Sequence, residues 1–179
     1  TGAEHATLPA HAEYVDAMAF SPDGATVASA TPYGTIVLRE TATGRQQATL
    51  GPNEGPVRAL ALSPDGKTLA AAGADEKIRL WDAKTGRMHR RFPAHEKNIW
   101  CLAFSPDGRY LYISSSAVDT VSVINMENVY SLLSARNGKI GISDETIRLY
   151  ARHLALSTEY AIARIPTGIN PKGVVVSPD

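Results

Sequence analysis

Cysteine, net charge and long apolar runs are all scarce in this chain, and each scarcity excludes a class of protein. Cys101 is the single cysteine among 179 residues, so neither an internal disulfide nor a Cys-x-x-Cys-His haem attachment site can form. Basic and acidic residues number 18 each, which leaves no overall basic field for nucleic acid or an anionic membrane. No apolar stretch approaches the ~18 residues that span a bilayer. We therefore expect no nucleic-acid partner and no membrane insertion.

What the chain does have is a repeated turn. The triplet Ser-Pro-Asp begins at Ser21, Ser63 and Ser105, with 42 residues between successive serines, and it occurs again at Ser177. Self-similarity at a period of about 40 to 45 residues is typical of stacked repeat architectures. The sequence therefore predicts several copies of one structural unit.

Each unit reads as four short strands separated by turns. An apolar strand leads into a Ser-Pro-Asp-Gly turn, in which proline presets φ and glycine accepts a positive φ. A strand of small residues such as 68–72 follows, then a third strand such as 78–81, a Thr-Gly turn and a fourth strand. Turn signals at intervals of about 8 to 12 residues predict a meandering antiparallel sheet. The predicted fold class is all-β.

The C-terminal part follows the pattern more loosely. Residues 102–112 superimpose on 140–150 at a spacing of 38, and the span from Ser143 to Ser177 is only 34 residues. That span is too short for four strands, so either a strand is lost or a loop is missing between the two serines. Ser143 could instead cap a helix with Ile147, Tyr150 and Leu154 on one face. The repeat alignment favours strands.

Catalytic and metal-binding motifs are missing from the sequence. It contains no His-Glu-x-x-His motif, no paired cysteine ligands and no phosphate-cradling glycine loop. The serines of the Ser-Pro-Asp triplets are explained by their turns, without a role as nucleophiles. The sequence thus predicts no enzyme, no metal site and no cofactor.

Residues 1 to about 125 resemble the WD-repeat β-propeller family, in which a Trp-Asp dipeptide ends the third strand of a blade. That dipeptide is Trp81-Asp82 here, and the Ala-Phe-Ser-Pro-Asp-Gly and Thr-Gly elements also match the family. Residues 119–124, 165–168 and 170–173 are similar to phrases of the YVTN-type bacterial propellers. The resemblance implies WD-repeat-like blades over 1–125 and degenerate YVTN-like blades of the same propeller over 126–179.

The polar cluster that ties a blade together in this family, made of His, Ser or Thr, Asp and Trp, is incomplete in every unit. The first unit has Tyr33 and Arg39 where Asp and Trp belong. The second has Asn53 and Ala71 in place of His and Ser, and the third has Asn125 in place of Trp. Because a buried polar network stabilises only when it is complete, we expect apolar packing between the sheets to hold the blades.

The number of units is about four, whereas propeller rings close with more blades, usually about six to eight. Each blade buries its faces only against its neighbours, so an open arc would expose two apolar faces. We therefore expect the arc either to be part of a larger ring or to be closed by a second copy of the chain.

The predicted function is a non-enzymatic scaffold that presents rim loops to a protein partner. The resemblance implies that certain loops lie near the narrow rim of the disc, where partners of this family dock. The candidate partner-binding residues are Tyr14, Asp16, Tyr33, Arg58 and Asn98. For Tyr33, packing against the neighbouring blade remains an equal alternative. Trp100 and Cys101 lie among apolar strand residues and are predicted to be buried in the core.

A second function comes from the YVTN-like part. Such propellers often accompany periplasmic redox enzymes, so the chain could be the propeller portion of a quinoprotein- or haem-associated oxidoreductase. The remainder of that protein would have to supply the cofactor site. A third possibility is a spacer domain attached to a signalling or catalytic domain. The same resemblance favours the bacterial periplasm or cell envelope over the cytoplasm.

Overall fold

The computed structural model describes residues 11, 13–51, 53–94, 98–115, 120–130 and 161–166 of the chain. Within these ranges the chain forms three antiparallel sheets of four strands each. The only helix in this part of the chain, α1, is a single short segment over residues 126–130. It is too short to cross a membrane, and no other described segment is a candidate span. The predicted all-β class is confirmed.

Each sheet is a meander in which consecutive strands are neighbours. The first sheet contains β1 (Ala17–Phe20), β2 (Thr26–Ala30), β3 (Ile36–Glu40) and β4 (Gln46–Leu50). The second contains β5 (Val57–Leu62), β6 (Thr68–Gly73), β7 (Lys77–Asp82) and β8 (Met88–Pro93). The third contains β9 (Ile99–Phe104), β10 (Tyr110–Ser115), β11 (Thr120–Asn125) and β12 (Ala161–Pro166). The strands β1 to β11 lie where the 42-residue repeat predicts them, whereas β12 comes later in the chain than that spacing predicts.

The Ser-Pro-Asp-Gly turns join the first two strands of each sheet. The Ser21 hydroxyl donates to the Asp23 carboxylate at 2.6 Å and accepts the Thr26 amide at 2.8 Å. The same two bonds recur in the turns that begin at Ser63 and Ser105. The hydrogen bond from Ser21 also lowers the pKa of the Asp23 carboxyl. One serine thus closes each turn with both its donor and its acceptor.

The sheets pack face to face, and small residues allow them to approach closely. Alanines of β2 and aliphatic residues of β3 face the second sheet, where they meet the side chain of Trp81. The opposite face of the second sheet meets the third through a larger apolar cluster that includes Phe92, Phe104 and Ile113. The core of the arc is therefore the two layers between successive sheets.

The third sheet joins strands from both parts of the proposed division of the chain. β12 pairs with β11 in antiparallel register, with Val121 opposite Ile165. Residues 126–160 therefore lie between the third and fourth strands of this sheet in the sequence. The distinction between WD-like and YVTN-like blades remains a prediction. The proposed unit around 140–150, with its alternative helix from Ser143, lies outside the described residues.

One face of the first sheet is open along β1. Ala17 and Ala19 pack toward the second sheet, so Met18 and Phe20 lie on the opposite face by the alternation of a strand. Their side chains are 59% and 56% exposed. An open apolar face is what we expect of an arc whose neighbouring blade is supplied elsewhere, and the source of that blade remains a prediction.

Candidate partner-binding rim

The candidate residues lie at one end of the sheets. β1, β5 and β9 begin at this end, and the β2–β3 and β6–β7 turns lie beside them because Ala17 pairs with Ala30 and Val57 with Gly73. We call this end the start rim. The opposite end, which carries the Ser-Pro-Asp-Gly turns, is the turn rim.

Tyr14 and Tyr33 are the most exposed aromatic side chains of the described residues, at 66% and 69%. Tyr33 lies in the β2–β3 turn, where the Thr31 hydroxyl accepts the amides of Tyr33 and Thr35 at 3.3 Å each. The ring of Tyr33 therefore lies in solvent, not against the neighbouring blade. A fixed turn presents it, so little backbone order has to be gained when a partner binds.

The loop between β4 and β5 locks the first blade to the second at this rim. The Asn53 side chain donates to the Gly34 carbonyl at 2.6 Å, and the Val57 amide donates to the Thr31 carbonyl at 3.5 Å. Gly34 has φ of 84°, and a Cβ there would lie 2.7 Å from the Asn53 carbonyl oxygen. Asn53 occupies the position of the family's histidine, and it ties two blades together instead.

Arg58 and Trp100 form a stacked pair between neighbouring blades. In the second sheet, the pairing of β5 with β6 includes Val57 and Ala59 but skips the residue between them. In the third sheet, the pairing of β9 with β10 includes Ile99 and Cys101 and skips the residue between them. Arg58 and Trp100 are therefore the extra residues of two β-bulges, which redirect side chains out of the strand alternation. The Arg58 guanidinium lies 4.4 Å from the centroid of the Trp100 ring, a cation–π distance.

The prediction that Trp100 is buried in the core was wrong. Its side chain is 37% exposed, because the bulge turns it away from the sheet interface that covers Ile99 and Leu102. Cys101 is likewise half-buried, not buried. The sequence carried a signal for this: Asp16, Arg58 and Trp100 share one repeat position, and two charged residues at that position indicate a solvent-facing site.

Asp16 and Asn98 complete the predicted set. The Asp16 amide donates to the Ala30 carbonyl at 2.8 Å, which fixes its backbone while the residue remains exposed. Asn98 is half-buried directly before β9 and shares its repeat position with Tyr14. All five candidate residues thus lie at the start rim, spread over three blades. Their binding role remains a prediction.

An ionic cluster with the buried Arg79 at its centre lies beneath this rim and was not foreseen. Arg79 on β7 is 2% exposed and pairs with Asp75, and its guanidinium is 3.9 Å from Glu54. Glu54 also pairs with Lys77 at 2.6 Å and with Arg91 at 2.7 Å. The hydrogen bond from Lys77 is the main cause that lowers the pKa of the Glu54 carboxyl.

The cluster adds a polar contact to the apolar packing that was expected to hold the blades. Ala71 lies directly opposite Arg79 on the neighbouring strand, and its small side chain leaves the space that the family's serine and histidine would share. In the second blade, the charged pair of Arg79 and Asp75 takes the place of the family's polar cluster. In the first blade, two residue types of the family cluster do meet: the His11 Nε2 lies 3.0 Å from the Ser29 hydroxyl oxygen.

No metal site is visible in the part of the chain that the structure describes, where no three potential ligands cluster. His89 lies 3.7 Å from the Asp82 carboxylate. The candidate residues at the start rim offer exposed aromatic rings and the guanidinium of Arg58.

Comparisons with known proteins agree with this fold. Residues 2–38 match the family model described as "WD domain, G-beta repeat", and residues 44–107 match the "Anaphase-promoting complex subunit 4 WD40 domain". The solved structures of the RRP9 WD40 repeats and of U3-55K each superimpose with a TM-score of 0.63 at 25% sequence identity. Each match covers 67% of this chain and 38% of the other. The chain belongs to the WD-repeat β-propeller family, whose domains generally serve as non-enzymatic interaction scaffolds.

A curated relative covers a shorter stretch. "Hydrazine synthase subunit beta" of Kuenenia stuttgartiensis is 31% identical over 70 residues, which are 39% of this chain. The match spans 17% of that protein, so the aligned residues correspond to a small part of it.

Proposed function

We propose that this chain is a scaffold segment that binds a protein partner at the start rim. The observation that carries the proposal is the Arg58–Trp100 pair, a cation stacked on a half-exposed indole at 4.4 Å. Tyr14 and Tyr33 flank it as exposed rings, and Asp16 and Asn98 add polar groups. Trp, Tyr and Arg are the residue types most enriched among the side chains that dominate binding energy.

The pair has features of an anchor that is ready before binding. No described carboxylate lies within ion-pair distance of Arg58, and its Nε is buried without a hydrogen-bond partner in the described part of the chain. A partner carboxylate or carbonyl could therefore pair with this guanidinium without displacing an internal ion pair. The Trp100 ring would hold the guanidinium in place while it does so.

The proposal is tested by affinity capture with the intact protein as bait and quantitative mass spectrometry. We compare wild type with the variant Tyr14→Ser/Tyr33→Ser/Arg58→Gln, after checking that both are folded by thermal melting. A matched control at the turn rim, Lys67→Ala/Arg87→Ala/Arg109→Ala, removes three exposed side chains from the opposite end. We expect specific partners to be lost from the first variant and kept by the control. Equal capture by all three proteins would remove the start rim from consideration.

A second candidate function is the propeller portion of a bacterial periplasmic redox enzyme. The 70-residue match to hydrazine synthase subunit beta supports it, as does the YVTN-like sequence of the C-terminal part. The cofactor would be bound by other parts of such a protein. The visible absorption spectrum of the intact protein tests this function: a haem or quinone band would favour it, and a spectrum without any cofactor band would count against it. Fractionation of the source cells would test the periplasmic location.

A further inference from the structure

A cavity of about 390 Å³ lies at the turn rim between the first and second sheets, far along the strands from the residues proposed above. The first sheet contributes Thr26 and Gln47, and the second contributes Leu62, Ala83 and Lys84. The Thr26 hydroxyl donates to the Gln47 side-chain oxygen at 3.3 Å, which leaves its own lone pairs available as acceptors.

The equivalent position between the second and third sheets is filled by the chain itself. After Asn125 the chain enters α1, and Met126 and Val129 of this helix are fully buried. Tyr130 packs against the apolar cluster between these two sheets. Its hydroxyl donates to the Thr68 hydroxyl oxygen at 3.3 Å. A tyrosine thus seals this second groove.

The repeat makes the two grooves correspond residue by residue. Thr26 and Thr68 are 42 residues apart, as are Leu62 and Phe104. Thr68 pairs with Asp82, and Tyr110 with Asn125, so the residues that follow are also equivalent: Ala83 corresponds to Met126 and Lys84 to Glu127.

The second sheet ends this strand in a tight turn, not a helix. The Gly86 amide donates to the Asp82 carbonyl at 2.9 Å, and β8 begins at Met88. The chain therefore has no residue at this point that could fold back as Tyr130 does. The side chains of the first groove are also smaller, with Leu62 for Phe104 and Ala83 for Met126. The first groove therefore has the hydroxyl of Thr26 as an acceptor, with open space beside it.

We propose that the groove between the first and second sheets is a binding site for a tyrosine side chain of a partner protein. The ring would lie on Leu62 and Ala83, and the phenol would donate to the Thr26 hydroxyl oxygen. Tyr130 in the neighbouring groove shows which side chain this setting accommodates. The edge of the cavity carries charges of both signs, because Asp23, Asp65 and Lys84 all line it. This site is independent of the start rim.

The test attaches fragments through a disulfide at the edge of the groove. In the intact protein, Lys84→Cys is equilibrated with two disulfide reagents, one ending in a phenol and the other in a phenyl ring of the same length. Intact-mass spectrometry measures how much of each is bound at a fixed thiol concentration, with the parent protein giving the background from Cys101. We expect the phenol to exceed the phenyl reagent by about fivefold, the factor for one net hydrogen bond.

Two variants and one matched site separate this outcome from nonspecific labelling. Thr26→Val in the same background removes the acceptor, and we expect it to abolish the preference for the phenol. Ala83→Met introduces the residue found in the filled groove and should lower labelling by both reagents. Glu127→Cys, at the equivalent position of the filled groove, should show no preference because Tyr130 already occupies it.

Several results would overturn the proposal. Equal labelling by the two reagents at position 84, or a preference that survives Thr26→Val, would exclude a phenol site at this groove. If Ala83→Met fails to fold, the Thr26→Val result alone decides. If the wild-type protein self-associates and Ala83→Met abolishes this association, the occupant of the groove is a second copy of the chain. That result would overturn the assignment to a different protein.

Discussion

Arg58 and Trp100 meet across two blades although neither takes part in the pairing register of its own sheet. Their repeat positions are identical, 42 residues apart, and each is the extra residue of a β-bulge. A guanidinium carbon 4.4 Å above an indole centroid is close enough for a direct attraction between the cation and the ring face. The bulges thus place a cation and an aromatic ring where a regular strand would have packed its side chains into the sheet interface.

This geometry predicts a measurable coupling between the two residues. In a double-mutant cycle of Arg58→Gln and Trp100→Leu, we expect a coupling of about 0.5 to 2 kcal/mol in the free energy of unfolding. Urea denaturation of the four proteins measures it. A parallel cycle of Arg58→Gln with Met18→Leu serves as the control, since Met18 lies on the open face of the first blade, and it should give no coupling. Additive effects of Arg58 and Trp100 would show that the stacked pair contributes nothing.

Gly34 provides a test of the contact between the first two blades. Gly34→Ala places a methyl group 2.7 Å from the Asn53 carbonyl oxygen at a φ of 84°, so backbone must move. We expect a loss of more than ~2 kcal/mol in unfolding free energy. Gly24→Ala is the matched control, because Gly24 has φ of 68° but no atom within 4 Å of the added carbon; it should cost about 1 kcal/mol. Equal losses would mean that the contact with Asn53 does not matter.

The sequence predicted the scaffold well because the scaffold depends on local rules that repeat. Ser21, Ser63 and Ser105 each close the same turn with the same two bonds, and strand alternation follows from the turns. The positions of Trp100 and Arg79 were harder to predict, because both depend on a neighbour in another strand. Trp100 is exposed by a bulge that exists only in the pairing with β10, and Arg79 is buried opposite Ala71 of the neighbouring strand. Neither strand pairing is visible in the linear order of residues, although the charged residues at the repeat position of Trp100 did indicate that it faces solvent.

The burial of Arg79 leads to a prediction about stability. Arg79→Met leaves Asp75, which is 14% exposed, without its main partner, and we expect a loss of about 3 to 5 kcal/mol. Asp75→Asn in the same protein removes the stranded charge and should restore part of that loss. Guanidinium-induced unfolding of the two single variants and the double variant provides the comparison. As a control, Arg45→Met breaks a pair with Glu40 in which Arg45 is 70% exposed, and it should cost less than ~1 kcal/mol.

A double variant less stable than Arg79→Met would contradict this account of the cluster. It would mean that Asp75 contributes through other contacts, such as the backbone of the β6–β7 turn, and not through its pairing with Arg79. A loss from Arg79→Met no larger than that from Arg45→Met would show that the buried pair contributes little net stability, as some buried ion pairs do.

The open face along β1 predicts that another sheet covers it in the intact protein. Met18 is 59% exposed and Met88, on the outer strand β8, is 36% exposed, so in an isolated arc peroxide would oxidise Met18 at least as fast as Met88. If a further blade packs on β1, Met18 should instead be oxidised much more slowly, because oxidation follows exposure. Peptide mapping of the intact protein after brief peroxide treatment measures both rates. Slow oxidation of Met18 in a protein whose native mass exceeds 19.1 kDa as a single chain would mean a larger ring, and in a dimer it would mean closure by a second copy. Oxidation of Met18 as fast as that of Met88 would mean that the arc stands open, and the expected closure of the ring would be wrong.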